Sequence, residues 1–86
     1  KGLQAPIEIS IGDSGYTPSS VTIDANRVVR FTNNGTEGHT ATDDNLDWGS
    51  GTLQPGKTFQ RQFKDSGTFT FHDSYNTQST GALFVN

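Results

Sequence analysis

The fold is most readily inferred from residues 67–81, which read GTFTFHDSYNTQSTG. Apolar and polar residues alternate at the start of this segment, which is the pattern of a strand with one buried face. Phe69, Phe71 and Asp73 share that face. A carboxylate beside two core phenylalanines is unusual, because a buried charge needs partners. Asp73 therefore raises the main functional question in this sequence.

A polar loop is predicted to follow this strand. It covers residues 74–80, and Gly81 then returns the chain to a final strand at 82–85. The loop between the last two strands of a small β domain is a common place for a site. His72 has the opposite parity to Asp73, so its side chain is expected to face solvent or an interface.

Short strands separated by turns are predicted along the rest of the chain. Strand patterns occur at 7–11, 21–24, 27–33 and 57–63, with shorter extended segments at 38–42 and 52–53. Turn signals such as Asn34-Gly35 and Pro55-Gly56 separate these segments. No segment has helical periodicity. The sequence therefore predicts one all-β domain over residues 1–86, an antiparallel sandwich or barrel of about eight strands.

Residues 43–51 form the longest irregular segment and need an anchor. Trp48 and Leu46 are predicted to attach this segment to the barrel. For Trp48, Tyr16 and Tyr75 the alternative is a role as exposed recognition aromatics, and the interpretation as core or loop anchors is preferred.

The same irregular segment carries three acidic residues, Asp43, Asp44 and Asp47. Their spacing lacks the regular acidic pattern and the following glycine of a calcium-binding loop. We interpret them as a solvated acidic loop.

The composition argues against several functions. The chain has no cysteine, which excludes disulfides, thiol nucleophiles and thiolate metal sites. The net charge of −3 and the scattered positions of the six basic residues argue against a nucleic-acid partner. No apolar run is long enough to span a bilayer, and no catalytic motif such as G-x-S-x-G is present. We expect a monomer that is not an enzyme.

Six short motifs follow one another along the chain. They are Tyr16-Thr17-Pro18, Val28-x-Arg30-Phe31-x-Asn33, Gly38-His39-Thr40, Leu53-x-Pro55-Gly56, Gly67-Thr68-Phe69-x-Phe71 and Gly81-Ala82-Leu83-Phe84-Val85. Together they span nearly the whole chain and resemble the cupredoxins, the plastocyanin- and amicyanin-like blue copper proteins. The resemblance implies a Greek-key β-sandwich or barrel and a periplasmic, lumenal or extracellular location.

The resemblance also implies where a copper site would lie. Cupredoxins hold copper with one histidine and a later loop of the form Cys-x2-His-x2-Met, whose thiolate gives the site its redox chemistry. His39 matches the first histidine. The other three ligand positions are matched by Asp73, Asn76 and Ser79. Only His39 keeps the ligand type of the family.

Without a thiolate, no blue-copper redox site is expected. Our first hypothesis is a cupredoxin-fold domain that resembles electron-transfer proteins but whose type 1 copper site has been dismantled, in evolution or by engineering. No cofactor is expected in this form, although the family it resembles binds copper.

Two alternatives follow from the same residues. The first is a non-redox recognition or structural domain that uses the loops at 34–38, 43–51 and 74–80 to bind a redox or other protein partner. The second is weak Cu(II) or Zn(II) binding through His39 and Asp73, which are two good ligands where zinc takes about four. Against ligation, His39 is interpreted as a partly buried histidine hydrogen-bonded within the loops. Asp73 is interpreted as a carboxylate bonded to neighbouring hydroxyls or backbone N–H groups.

Overall fold

The computed structural model describes residues 4–86 and contains two four-stranded sheets packed face to face. The all-β class and the number of strands are confirmed, since eight strands occur in the described part of the chain. They are β1 (Ile7–Gly12), β2 (Gly15–Thr17), β3 (Ser20–Ile23), β4 (Arg27–Asn33), β5 (Thr42–Asp43), β6 (Thr58–Phe63), β7 (Gly67–Asp73) and β8 (Asn76–Val85). Residues 4–86 contain no helix that could cross a membrane.

The strand order gives a Greek-key sandwich with mixed sheets. The first sheet has the order β2-β1-β4-β6 and the second β3-β8-β7-β5. β1 pairs with β4 in parallel, and β3 pairs with β8 in parallel, whereas the other pairs are antiparallel. The prediction of an antiparallel arrangement is therefore wrong for these two pairs. Parallel neighbours need a crossover connection, and here β2 and β3 separate β1 from β4 along the chain.

Aromatic side chains fill the space between the sheets. Phe31, Phe63 and Phe71 are the largest fully buried side chains. Phe71 meets Phe31 edge to face at 5.3 Å between ring centroids, and Tyr16 at 4.8 Å. Gly81 lies opposite Phe71 on β8, and a Cβ atom there would collide with the Phe71 ring. The closing strand therefore needs glycine at this position so that the central aromatic ring can pack.

The predicted parity of β7 is confirmed. Phe71 and Asp73 are both fully buried, and Phe69 is half-buried against the core. His72 points to the other side of the sheet, where its Nδ1 lies 2.6 Å from Asp44 Oδ1 near the surface.

The predicted loop at 74–80 is mostly a strand. Only Ser74 and Tyr75 form the turn, and β8 begins at Asn76. Asp73 closes this turn, because its Oδ1 accepts the backbone N–H of Tyr75 at 3.0 Å. The pairing then shifts register, since Asp73 faces Asn76 while His72 faces Thr80. The polar composition of 76–80 concealed the strand.

The anchoring prediction for residues 43–51 is half right. Trp48 stacks on Phe59 with ring centroids 6.3 Å apart and meets Phe63 edge to face at 5.5 Å. Leu46 is 74% exposed and has a positive φ of 61°, so it does not anchor the segment. Trp48 alone supplies the large apolar contact.

Two further interpretations of single residues also change. Tyr16 is buried and its hydroxyl donates to Thr40 O at 2.6 Å, as an anchor should. Tyr75 is 64% exposed, so it is not a core anchor, and its contact with another loop is a hydroxyl pair with Thr52 at 2.7 Å. Asp43 is buried, and its Oδ2 accepts the backbone N–H of Asp47 at 3.0 Å. The solvated-loop interpretation is therefore wrong for Asp43.

Candidate functional site

Three connections that are distant in sequence meet at one end of the sandwich. The β1–β2 turn contributes Asp13, the segment after β4 contributes His39, and the end of β7 contributes Asp73. The backbone of His39 is fixed by two hydrogen bonds to Leu53, with His39 N to Leu53 O at 3.1 Å and Leu53 N to His39 O at 2.8 Å. These contacts hold the imidazole ring between the two carboxylates.

The His39 ring contacts a carboxylate at each of its nitrogens. Nδ1 lies 2.6 Å from Asp73 Oδ2, and Nε2 lies 2.8 Å from Asp13 Oδ1. The His39 side chain is only 4% exposed. An ionised carboxylate can only accept hydrogen bonds, and both nitrogens donate only in the imidazolium form. The geometry therefore assigns a positive charge to His39 between two negative ones.

Asp73 is a fully buried carboxylate with three donors. Its Oδ2 faces His39, while its Oδ1 accepts the backbone N–H groups of Thr40 at 3.1 Å and Tyr75 at 3.0 Å. Hydrogen bonds of this kind stabilise the charged form of a buried acid. The interpretation of Asp73 as a carboxylate bonded to backbone N–H groups is confirmed. The Thr40 hydroxyl instead accepts from the backbone of Ser74 at 2.8 Å.

Asp13 closes the other side of the ring and was missed by the sequence interpretation. Its carboxylate also accepts from the backbone and the hydroxyl of Thr36, at 3.0 Å and 2.8 Å. Gly35 permits this approach, because a Cβ there would collide with Asp13 and lie 3.0 Å from His39 Nε2. The sequence signal was Asn34-Gly35, which indicated a turn but not the carboxylate it accommodates.

The hydrogen bonds shift two pKa values in opposite directions. Hydrogen bonds from His39, and then from Thr36, lower the pKa of Asp13 from 3.8 to about 2. Burial by itself would lower the pKa of His39, but the hydrogen bonds and charges of Asp13 and Asp73 outweigh burial and raise that pKa above 6.5. Both shifts favour the charged pair.

The two remaining predicted positions do not join this cluster. Asn76 is half-buried at the start of β8, opposite Asp73, and makes no side-chain hydrogen bond to it or to His39 within residues 4–86. Ser79 is buried beside Gly15, and its hydroxyl has no hydrogen-bond partner among the described residues. The structure thus brings His39 and Asp73 together and adds Asp13 instead of Asn76 and Ser79.

The loop at 43–51, predicted to share one surface with the loops at 34–38 and 74–80, does not lie wholly at the site end. Asp44 donates its backbone N–H to Thr70 O at 3.0 Å, midway along β7, so the start of the 43–51 segment lies along a sheet edge. The chain reaches the site end again at Thr52, whose hydroxyl lies 2.7 Å from that of Tyr75.

The donor set does not fit a type 1 copper ion. Such a site needs a thiolate and two free imidazole nitrogens, and the sequence has no cysteine. Both nitrogens of the nearest imidazole, His39, are already directed at carboxylates. Within residues 4–86, no group of three or more His, Cys, Asp or Glu side chains is arranged to hold a metal ion.

Comparison with known proteins places the chain in a family. The model of the cupredoxin-like domain matches residues 2–85, so the chain belongs to the cupredoxin-like family. No curated protein matches the chain.

Solved structures share the fold at low sequence identity. A purple cupredoxin from Nitrosopumilus maritimus is 19% identical, with a TM-score of 0.86, over 93% of this chain and 99% of that one. A mutant of amicyanin in its reduced Cu(I) form is 15% identical, with a TM-score of 0.88, over 100% of this chain and 87% of that one. A copper-containing nitrite reductase from Thermus scotoductus SA-01 is 17% identical, with a TM-score of 0.90, over 100% of this chain but only 24% of its own length. At these identities the likeness shows the fold alone.

Replacing the buried carboxylate should destabilise the protein. Asp73→Asn removes the charge that faces His39 and should lower the free energy of unfolding by about 2–4 kcal/mol, because one partner of a buried pair is lost. Urea unfolding measures the change. Asp24→Asn is the matched control, since Asp24 is exposed and its carboxylate accepts, within the described residues, only a long bond from Asn86, at 3.4 Å. Equal stabilities of the two variants would contradict the account of Asp73.

Stability should depend on pH in a defined way. The folded pKa of His39 is raised, so its contribution is fully present below about pH 6.5 and is lost as the pH rises through that folded pKa. The folded pKa of Asp13 is lowered, so its contribution is present above 3.8 and is lost as the pH falls towards 2. The pKa of Asp44 is also lowered, by hydrogen bonds with Thr70 and then with His72, and this adds to the loss in acid.

Urea unfolding between pH 3 and pH 9 tests this dependence. The free energy of unfolding should be greatest between about pH 4 and pH 6.5 and should decline on both sides. His39→Gln should remove the decline above pH 6.5. An unchanged alkaline decline in that variant would assign the dependence to another group.

Proposed function

We propose that this chain is a non-redox cupredoxin domain, in which a hydrogen-bonded imidazolium–carboxylate contact takes the position that the family gives to copper. The observation that carries the proposal is the 2.6 Å contact between His39 Nδ1 and Asp73 Oδ2. These two residues match the first histidine and the cysteine of the family's copper site.

The chemistry of the site supports a metal-free state. A metal ion can bind only to deprotonated nitrogen, so it would have to displace a proton from His39 and break a charge-assisted hydrogen bond. In return it would gain one carboxylate, because Asn76 and Ser79 offer only neutral oxygens. Asp13 on Nε2 stabilises the protonated ring further. The same argument disfavours the alternative of a weak Cu(II) or Zn(II) site.

A role in recognition fits the rest of the site end. Tyr75 stands 64% exposed at the tip of the β7–β8 turn, and its backbone N–H is held by Asp73. Tyrosine is enriched in protein interfaces because its ring supplies contact area and its hydroxyl a polar contact. A turn that is fixed before binding loses little conformational entropy on binding. We therefore propose that the domain presents this end to a protein partner, acts as a monomer and has no enzymatic activity.

The location of the protein is part of the same proposal. We place it in the periplasm, in a lumen or outside the cell, and this placement rests on its resemblance to the cupredoxins.

Metal titration tests the non-redox proposal. Calorimetry with Cu(II) and Zn(II) should show no binding of micromolar affinity, and added Cu(II) should produce no intense visible absorption. Heat release with micromolar affinity that His39→Ala abolishes would overturn the proposal.

A triple variant provides the positive control. Asp73→Cys, Asn76→His and Ser79→Met together restore the ligand types of the family, so this variant should bind Cu(II) with intense visible absorption. If it folds and stays colourless, the match of these three positions to the copper ligands is wrong.

A further inference from the structure

A second concave site lies at the opposite end of the sandwich from His39. The chain crosses there from β6 in the first sheet to β7 in the second. The cavity has a volume of about 260 Å³. Its lining residues are Arg61, Gln62, Phe63, Lys64, Asp65 and Phe69.

Arg61 is a half-buried cation that has aromatic neighbours but no acceptor among residues 4–86. Its guanidinium carbon lies 4.9 Å from the centre of the Phe63 ring and 5.5 Å from that of Trp48. Within residues 4–86 it makes no side-chain hydrogen bond or ion pair, whereas Arg30 is paired with Glu8. A guanidinium group carries five N–H donors in a planar fork that suits a carboxylate.

The surroundings of Arg61 combine positive charge with an apolar wall. Lys64 adds a second cation at the rim, and Asp65, the acid among the lining residues, forms no ion pair with either cation in the described chain. The rings of Phe63 and Phe69 lie 5.6 Å apart and form the apolar side. Ligand pockets typically combine apolar walls with a few fixed polar groups.

We propose that this cavity binds a small organic carboxylate with a flat apolar body. The carboxylate would accept two hydrogen bonds from the Arg61 guanidinium, with Lys64 adding attraction at the rim. The apolar body would lie against Phe69. A fully hydrated anion such as inorganic phosphate fits less well, because the aromatic wall offers it no hydrogen bonds. This site is independent of the His39 cluster and of the proposed function.

Titration with benzoate tests the proposal. In 1H–15N NMR spectra, benzoate should produce saturable shifts at residues 61–69, while the isosteric neutral probe benzamide should bind at least about tenfold more weakly. Arg61→Gln should weaken benzoate binding by a similar factor. Arg30→Gln removes the same charge from the adjacent strand, but on the outer face of the sheet, and should leave the affinity unchanged.

A second variant keeps the test valid if Arg61→Gln does not fold. Lys64 is exposed, so Lys64→Gln should leave the fold intact and weaken benzoate binding about threefold. The proposal is overturned if benzamide binds as well as benzoate or if the shifts lie away from residues 61–69. It is also overturned if benzoate produces no saturable shift, or if neither variant changes the affinity.

Discussion

The loop end of this protein depends on one imidazole ring held between two carboxylates. His39 contacts Asp13, 26 residues before it, and Asp73, 34 residues after it, so a single side chain joins three connections of the sandwich. A buried, ionised Asp73 is tolerated only because its oxygens receive hydrogen bonds from His39 and from the backbone of Thr40 and Tyr75. The positive charge on His39 in turn depends on its hydrogen bonds to both carboxylates.

The sandwich itself rests on a separate set of contacts. Phe31, Phe63 and Phe71 fill the space between the sheets, and Trp48 extends this aromatic cluster to the edge covered by residues 43–51. Apolar burial of this kind supplies most of the driving force for folding. The polar cluster fixes the conformation of the loops more than it adds net stability. Separating one partner of a buried ion pair from the other costs more free energy than the intact pair contributes, so the loops stay in the arrangement that keeps the pair together. In the metal-free state that we propose, a proton between His39 and Asp73 therefore maintains the geometry of these loops.

Part of this arrangement could be predicted from the sequence. Alternation gave the buried face of β7 and so the burial of Asp73, and the order of motifs placed His39 near it. Asp13 could not be found this way, because its contact with His39 is long-range and leaves no periodic signal. In the sequence, Asp13 looks like an ordinary residue of the turn between β1 and β2. The parallel pairing of β1 with β4 was missed for a similar reason, whereas the early start of β8 was missed because residues 76–80 are mostly polar. Local patterns specify which residues are extended, but they do not specify which strands pair.

The protonation state of His39 at pH 7 tests the central claim most directly. A long-range 1H–15N NMR spectrum reports whether each ring nitrogen carries a proton, and a histidine with the ordinary pKa of 6.5 is mostly neutral at this pH. The account predicts that both ring nitrogens of His39 are protonated and that the Nδ1 proton facing Asp73 exchanges slowly with solvent. An unprotonated ring nitrogen in the majority of molecules at pH 7 would contradict it.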